Sequence, residues 1–139
     1  MIQEASFLRV YEKFEPMQEQ ALVPIWCANH FGIDPLSFDS YRFWQRVDGR
    51  SIWITPDSFT LPNGVDLASV GMLVMRKHPP KGKPTSVFLQ RFAKNATRNC
   101  YVLSEEEALA FLKREPIGIT PIDDARGYAV VRTMDRVIG

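Results

Sequence analysis

The stretch that most constrains the fold is residues 41–55, which read YRFWQRVDGRSIWIT. Asp48-Gly49 stands between two runs rich in aromatic and β-branched residues. Such runs favour pleated strands, and an Asp-Gly pair favours the tight turn between them. The stretch therefore predicts a β-hairpin. We expect its aromatic side chains to fill the core of a small sheet, with a stacking platform on one face as the alternative. These side chains are Tyr41, Phe43, Trp44 and Trp53.

Two helices are predicted before the hairpin. Apolar spacing over 6–14 favours a short helix that Pro16 ends. Residues 17–32 favour a second helix, with Gly32 past its C-terminal end. Pro24 lies inside this stretch, so we expect it to kink or split the helix.

Strands and short helices alternate after the hairpin. A third strand is predicted within 68–77, where Gly71 marks a bulge or a close approach, and a Pro/Gly loop follows over 78–84. We then expect a helix from Thr85, a strand over 100–103 and a capping-box helix from Ser104 to near Arg114. Two last strands are expected over 127–133 and 136–139. The predicted class is α+β, with a small mixed or barrel-like sheet. The capping-box helix is expected to bury Ala108, Leu109, Phe111 and Leu112.

Length and composition predict one globular domain without a membrane span. The chain has 139 residues, and no apolar run approaches the 18 residues that a spanning helix needs. Its first residues do not read as a signal peptide, so we expect a cytoplasmic location. Cys27 and Cys100 are then expected to be reduced, buried thiols.

The charge is unevenly distributed along the sequence. The stretch from Leu67 to Ser104 carries seven Lys and Arg residues and no Asp or Glu. The rest of the chain carries ten basic and sixteen acidic residues. Segregated positive charge attracts phosphate backbones, although a plain solvated surface would show the same counts.

The candidate binding residues all lie in this acid-free stretch. Lys77, Lys81 and Lys83 belong to or border the loop, where the backbone at Gly82 could approach a phosphate closely. If the helix from Thr85 persists, one of its faces carries three further cations and tracks a phosphate backbone. The Asn99 amide adds a candidate base or sugar contact. These three cations are Arg91, Lys94 and Arg98.

No stretch of the sequence carries a catalytic or metal-binding signature. Cys27 and His30 are one helical turn apart, but their apolar neighbours favour a core cysteine and a capping histidine. His78 precedes two prolines in the loop and could contact a phosphate or nothing. We therefore expect no enzyme activity from this chain alone, no cofactor and no metal.

The order of these elements resembles a known family. The segments are HFGIDPLSFDSYRFWQRVDGRSIWI, VGMLVMR, KPTSVFLQRFAKNATRNCYVLSEEEALAFLKRE and GYAVVRTMDRVIG. Together they resemble the PUA-like RNA-binding domain, in the version at the C-terminus of Sun-type RNA cytosine-5 methyltransferases, particularly those of archaea. The resemblance covers about residues 28–139. No single motif within it would suffice.

The resemblance implies a pseudo-barrel with covering helices that binds RNA, with the turn around Arg91 to Asn99 on the RNA-facing side. It divides the chain into an N-terminal helical segment, 1–33, and a PUA-like domain, 34–139. It implies no methylation, because neither cysteine stands in the family's catalytic context. In the family a final strand follows the segment that ends here at Gly139, so the resemblance predicts an open edge and a monomer or weak homodimer.

Three functions are compatible with the sequence. The first is a module that binds structured tRNA or rRNA during RNA modification or ribosome assembly, beside a catalytic protein partner. The second is a protein-interaction module that uses the aromatic hairpin and the open edge. The third, an enzyme with a small-molecule pocket, has no residue pattern in its favour.

Overall fold

The structure is a computed structural model that describes residues 13–49, 51–61, 69–117 and 128–139. Its class is α+β, with three helices, a four-stranded antiparallel sheet and a small parallel sheet among the described residues. No described helix is long and apolar enough to cross a membrane. The strands are β1 (Phe14–Pro16), β2 (Tyr41–Arg46), β3 (Ile52–Pro56), β4 (Met72–Met75), β5 (Cys100–Val102) and β6 (Val130–Arg132). The helices are α1 (Leu22–Phe31), α2 (Ser86–Phe92) and α3 (Glu105–Leu112), with a 3-10 turn at Pro35–Phe38.

The predicted hairpin is confirmed and forms the centre of the main sheet. Strands β1 to β4 lie in chain order, and β2 pairs antiparallel with β3 so that Phe43 faces Ile54 and Trp44 faces Trp53. The Gly49 amide donates to the Arg46 carbonyl (2.7 Å), and Gly49 has a φ of +74°. Glycine adopts this conformation without the steric penalty that other residues meet, which explains why the Asp-Gly pair makes the turn.

The core lies between α1, α2 and one face of the main sheet. Phe31, Phe43 and Phe88 are fully buried or nearly so and belong to one cluster with Ile52 and Val74. Trp44 lies in a second cluster and donates its indole N–H to the Thr55 hydroxyl (2.8 Å). The hairpin aromatics therefore serve mainly as core, as expected, while Tyr41 and Trp53 are only partly buried.

Helix α1 corrects the expectation for Pro24. The helix begins at Leu22, so Pro24 lies in its first turn, where backbone N–H groups have no partner within the helix. Proline is tolerated there, and the predicted kink or split is wrong. Gly32 ends the helix as predicted, with a φ of 69° and its amide donating to Ala28. Most of the helix predicted over 6–14 lies outside the described residues, and Phe14 belongs to β1 rather than to a helix.

Helix α2 is shorter than a continuous cationic face requires. Thr85 caps it as predicted, its hydroxyl accepting from the Phe88 amide, but the helix ends at Phe92. The chain then turns onto the C-terminal end of α1, where Thr97 and Arg98 donate their amides to the Phe31 carbonyl. These bonds satisfy a carbonyl that α1 leaves without a helical partner. A shared face for Arg91, Lys94 and Arg98 required this helix to continue through all three, and it ends before Lys94.

In the C-terminal part, the predicted capping box is confirmed, but the predicted buried face of α3 is partly wrong. Ser104 and Glu107 form the reciprocal capping bonds, and Ala108 is buried. Leu109 and Leu112, however, are 54% and 59% exposed among the described residues. Strands β5 and β6 pair in parallel, and the chain after β6 returns through a bridge between Arg132 and Val137. The last predicted strand is thus reduced to a bridge.

Candidate functional site

The candidate site is built on residues 76–84, which we call the basic loop. Both of its ends are fixed to β4: Met75 pairs with Pro84, and the Thr85 amide and hydroxyl donate to the Val74 and Leu73 carbonyls. The two ends of the basic loop are therefore held together beside β4. As predicted, this segment is a loop with exposed cations, although Gly82 and Pro84 within it are buried.

Gly82 closes the basic loop on itself. It is buried, its amide donates to the His78 carbonyl (3.1 Å), and a side chain at this position would overlap the Lys77 carbonyl. The Gly82 backbone therefore packs against the loop instead of facing a ligand, contrary to expectation. Glycine is required for this close approach. As a result, the loop presents Lys77, Lys81 and Lys83 as exposed side chains.

The loop cations line a cavity of about 380 Å³, which we call the basic-loop cavity. Among the described residues, its lining contains four cationic side chains and no carboxylate. Within the described ranges none of the four takes part in an ion pair. Uncompensated positive charge around a concave surface attracts anions more strongly than the same charge on a flat surface. The four are Arg76, Lys77, Lys81 and Lys83.

Tyr128 brings an aromatic ring to the same cavity. Lys83 Nζ lies 5.8 Å from the centre of the Tyr128 ring, and the residue is 37% exposed. The Tyr128 carbonyl accepts from His30 Nε2 (2.7 Å), and His30 stacks on Trp26. The cavity thus combines cations with an accessible ring held against the end of α1. Aromatic rings and cations together are the usual components of sites that bind single-stranded nucleic acids.

The cations after the basic loop do not line this cavity. Arg91, Lys94 and Arg98 are all exposed, and Arg91 donates to the Tyr41 hydroxyl (3.2 Å). Arg98 is the one with a structural link to the cavity. Its amide bonds to Phe31, next to His30, which contacts Tyr128. The structure therefore gathers Lys77, Lys81 and Lys83 at one cavity and leaves Arg91, Lys94 and Arg98 outside its lining.

The contacts of Asn99 give it a structural role. It is buried at 9% exposure, its φ is +48°, and its side-chain amide donates to the His30 carbonyl (2.6 Å). Asparagine is among the residues that tolerate this left-handed conformation. Its amide thus helps to fix the turn between α2 and β5 against α1 and is not available for a base or sugar contact.

A second cavity lies beside the first and shares two of its residues. This turn cavity, of about 680 Å³, lies between the hairpin turn and the start of the basic loop. Arg76 and Lys77 line both cavities. Arg46 adds a third cation, with its Nε 3.6 Å from the Asp48 carboxylate. The Nε2 atom of His78 is buried and has no hydrogen-bond partner among the described residues.

The two cysteines have different surroundings. Cys27 is fully buried, and burial raises the pKa of its thiol to about 12. Cys100 is partly buried, and its Sγ accepts from Arg132 Nε (3.2 Å). Among the described residues no three His, Cys, Asp or Glu side chains are grouped as metal ligands.

Sequence reasoning missed Tyr128 and Arg46. Tyr128 was expected to be an ordinary strand residue, and Arg46 only a hairpin residue. The Tyr128 ring lies near Lys83, 45 positions earlier in the sequence, and Arg46 and Arg76 line one cavity because β2, β3 and β4 are neighbours in the sheet. No local pattern encodes either arrangement.

Comparison with known proteins adds no relative. No family model matches the chain, and no curated protein matches it either.

Proposed function

We propose that this chain is an RNA-binding module that is not catalytic alone and that serves RNA modification or ribosome assembly beside a catalytic partner. The observation that carries the proposal is the basic-loop cavity, whose described lining residues include four cations and no carboxylate. Phosphate contacts supply most of the affinity for nucleic acids, and cations without internal partners are available for them.

The ring of Tyr128 favours RNA with unpaired bases as the ligand. Double-stranded RNA hides its base faces, whereas single-stranded loops and ends can stack a base on an aromatic side chain. Tyr128 is partly exposed beside Lys83, so one nucleotide can place its base on the ring and its phosphate near the lysine. The proposed ligand is therefore a structured RNA with a single-stranded loop or tail.

The α+β architecture supports, as part of the same proposal, a PUA-like fold. The order of hairpin, β4 directly after Gly71, Thr-capped helix, capping-box helix and final strand follows the resemblance. The RNA-facing side is proposed to centre on the basic loop. It extends through Tyr128 toward Arg98, because the contacts of His30 connect these elements.

The test compares two variants that remove the same charge. Lys77→Gln, Lys81→Gln and Lys83→Gln together neutralise the basic loop. The control combines Lys113→Gln, Arg114→Gln and Arg136→Gln, three exposed cations at or near α3 and after β6. Fluorescence anisotropy with a labelled stem–loop RNA that carries a single-stranded tail measures the affinity.

We expect the loop variant to lose about tenfold or more in affinity and the control to lose little. A second variant, Tyr128→Leu, keeps the charge but removes the ring. It should weaken binding of the tailed RNA and spare a blunt duplex of equal length. Equal affinities for the parent and the loop variant, or equal losses in the loop variant and the control, would contradict the proposal.

A second candidate function, protein interaction, is favoured by one observation. Leu109 and Leu112 are more than half exposed on α3, and both line a cavity together with residues after β6. Exposed leucines in contact with a concave surface are typical of protein-binding sites. In contrast, Phe43 and Trp44 of the aromatic hairpin are buried, so they cannot contact a protein partner. Salt-insensitive association that Leu109→Ser abolishes, without RNA binding, would favour this alternative.

A further inference from the structure

We infer that a second copy of this chain docks on α3, so that two α3 helices pack antiparallel about a two-fold axis. The surface that carries the inference consists of α3 and the turn 133–136, which together line a cavity of about 670 Å³. We call it the α3 surface. The inference goes beyond the proposed function, because contact between two copies of the protein requires no RNA.

The α3 surface presents large apolar side chains to solvent. Leu109 and Leu112 of α3 are more than half exposed, and Met134 in the neighbouring turn is 80% exposed. Ala108, in contrast, is buried. Helix α3 therefore packs one side on the rest of the chain and leaves apolar groups on another. Neighbouring exposed apolar groups of this kind are typical of protein-binding surfaces.

The spacing of charged residues around Leu109 gives the exposed side of α3 a direction. Residues three, four or seven positions apart lie on the same face of a helix. Glu106, Leu109 and Lys113 have this spacing, and all three are exposed. Glu106 lies in the first turn, and Lys113 is the residue that caps the C-terminal end. The exposed row therefore runs from a carboxylate through a leucine to an ammonium group.

This row is complementary to a second copy of itself in the antiparallel direction. Glu106 and Lys113 are equally far along the chain from the midpoint between Leu109 and Ala110. When two α3 helices are antiparallel about that midpoint, Glu106 of each copy faces Lys113 of the other, and the two Leu109 side chains meet at the axis. A parallel pair would place like charges together. An interface that uses the same patch on both copies is the form found in two-fold symmetric dimers.

The charges needed for this contact are not used within the described part of the chain. Neither Glu106 nor Lys113 takes part in an ion pair among the described residues. The cavity beside Glu106 has an excess of carboxylates in its described lining, which attracts a lysine from a second copy and repels a nucleic acid backbone. The charged residues of that lining are Glu105, Glu106, Asp135 and Arg136.

The size of α3 predicts a weak dimer. The helix has eight residues and is therefore about 12 Å long. Stable interfaces bury roughly 1,200–2,000 Å² in total, which is more than two helices of this length cover, even with Met134 beside them. We therefore expect a dissociation constant in the range of about 10–1,000 µM.

Sedimentation velocity of the full chain without RNA tests the dimer. Over this concentration range, the average mass of the parent should rise from one chain toward two and no further, because a two-fold contact is closed. Leu109→Ser should raise the dissociation constant about tenfold or more, because each dimer loses two buried leucines. The control, Leu36→Ser, removes another leucine that is more than half exposed and lies in the 3-10 turn. It should leave the dissociation constant unchanged.

Exchange of the two charges tests the antiparallel direction. Glu106→Lys and Lys113→Glu should each raise the dissociation constant about three- to tenfold, because each places like charges opposite one another in both pairs. The double variant restores both pairs with their signs reversed and should return to the parent value. Both substitutions oppose the helix macrodipole, so a folding defect would be greatest in the double variant. Recovery of the dimer in that variant therefore requires contact between the two positions.

Several results would overturn the inference. A parent of one chain mass at all concentrations would leave the α3 surface to a different partner. A mass that rises beyond two chains would indicate open assembly through two different patches. Equal weakening by Leu36→Ser, or a double variant weaker than either single one, would also contradict the antiparallel pair. RNA affinity is measured separately, by anisotropy at protein concentrations below the dissociation constant. RNA binding without dimers would contradict this inference alone, and dimers without RNA binding would contradict only the proposed function.

Discussion

At the scale of single residues, two glycines with the same backbone conformation have different steric environments. Gly49 and Gly71 both have positive φ, at 74° and 63°. A side chain at Gly71 would overlap the Ile54 carbonyl and approach Thr55 Cγ2 to 2.7 Å. At Gly49, no atom of the described residues beyond its chain neighbours lies within 4 Å of such a side chain. A side chain at Gly49 would therefore meet conformational strain alone, whereas one at Gly71 would meet both strain and steric overlap.

We predict that Gly71→Ala destabilises the protein more than Gly49→Ala does. Gly49→Ala should cost about 1–2 kcal/mol, the strain of a left-handed alanine. Gly71→Ala carries the same strain plus an overlap with backbone that cannot move aside, which adds about 1–3 kcal/mol. Urea unfolding of both variants measures the difference. Equal free energies of unfolding would show that β4 does not approach β3 as closely as described.

A second prediction at this scale concerns the reactivity of Cys27. Burial raises the pKa of Cys27 from 9.0 to about 12, so at pH 8 its thiolate fraction is on the order of 10⁻⁴. Only the thiolate reacts with disulfide reagents. In a Cys100→Ser variant we therefore expect no labelling of the native protein and one equivalent after unfolding in guanidinium. Labelling of native Cys27 at the rate of a free thiol would contradict its burial.

At the scale of elements, the N-terminus of α3 depends on a two-residue capping box. The Ser104 hydroxyl accepts from the Glu107 amide (3.1 Å), and the Glu107 carboxylate accepts from the Ser104 amide (3.0 Å). The bond from the backbone amide, followed by the side chain of Ser104, lowers the pKa of Glu107. We predict that Ser104→Ala costs about 0.5–2 kcal/mol, measured as a loss in free energy of unfolding.

The pH dependence of Glu107→Gln tests the other half of the box. The folded pKa of Glu107 lies below its ordinary value of 4.5, so the native state favours the ionised carboxylate. Its contribution is therefore complete above that value and is lost as the pH falls through the folded pKa. The parent should be more stable than Glu107→Gln at pH 7, and the difference should shrink at pH 3. A constant difference between these two pH values would exclude the carboxylate as its cause.

The elements that the sequence predicted well are those with local signals. The Asp48-Gly49 turn, the Gly32 helix end and the caps at Thr85 and Ser104 each depend on neighbours within a few residues. Long-range contacts were not predictable in this way. The end of α2 at Phe92 depends on the Phe31 carbonyl, more than sixty positions earlier.

The candidate site shows the same division between local and long-range information. Its lysines could be selected from the sequence, because an acid-free loop is a property of neighbouring residues. The role of Tyr128 could not, since its ring meets Lys83 only after the chain has folded. The exposure of Leu109 was missed for a related reason. Helical spacing shows which residues share a face of α3, but not which face another element covers.

At the scale of the whole molecule, the basic loop and the turn after α2 are proposed to form one RNA-binding surface. Contacts of His30 with Tyr128, and of Phe31 with Arg98, connect the two regions. A continuous surface lets one RNA contact both, whereas separate faces let it contact only one. The dependence of affinity on salt distinguishes these cases, because each phosphate contact contributes a slope of about 0.7 in log affinity against log salt for single strands.

We predict that the two groups of cations contribute separately to this slope. Replacing Lys77, Lys81 and Lys83 by Gln should lower its magnitude by about 2, as three lost contacts require. Replacing Arg91, Lys94 and Arg98 by Ala should lower it by less, because none of these three residues lines the basic-loop cavity. The sixfold variant should show the sum of both decreases if one RNA spans both groups. A slope in the sixfold variant equal to that of the loop variant would restrict the surface to the basic loop. An unchanged slope in all three would contradict phosphate binding by either group.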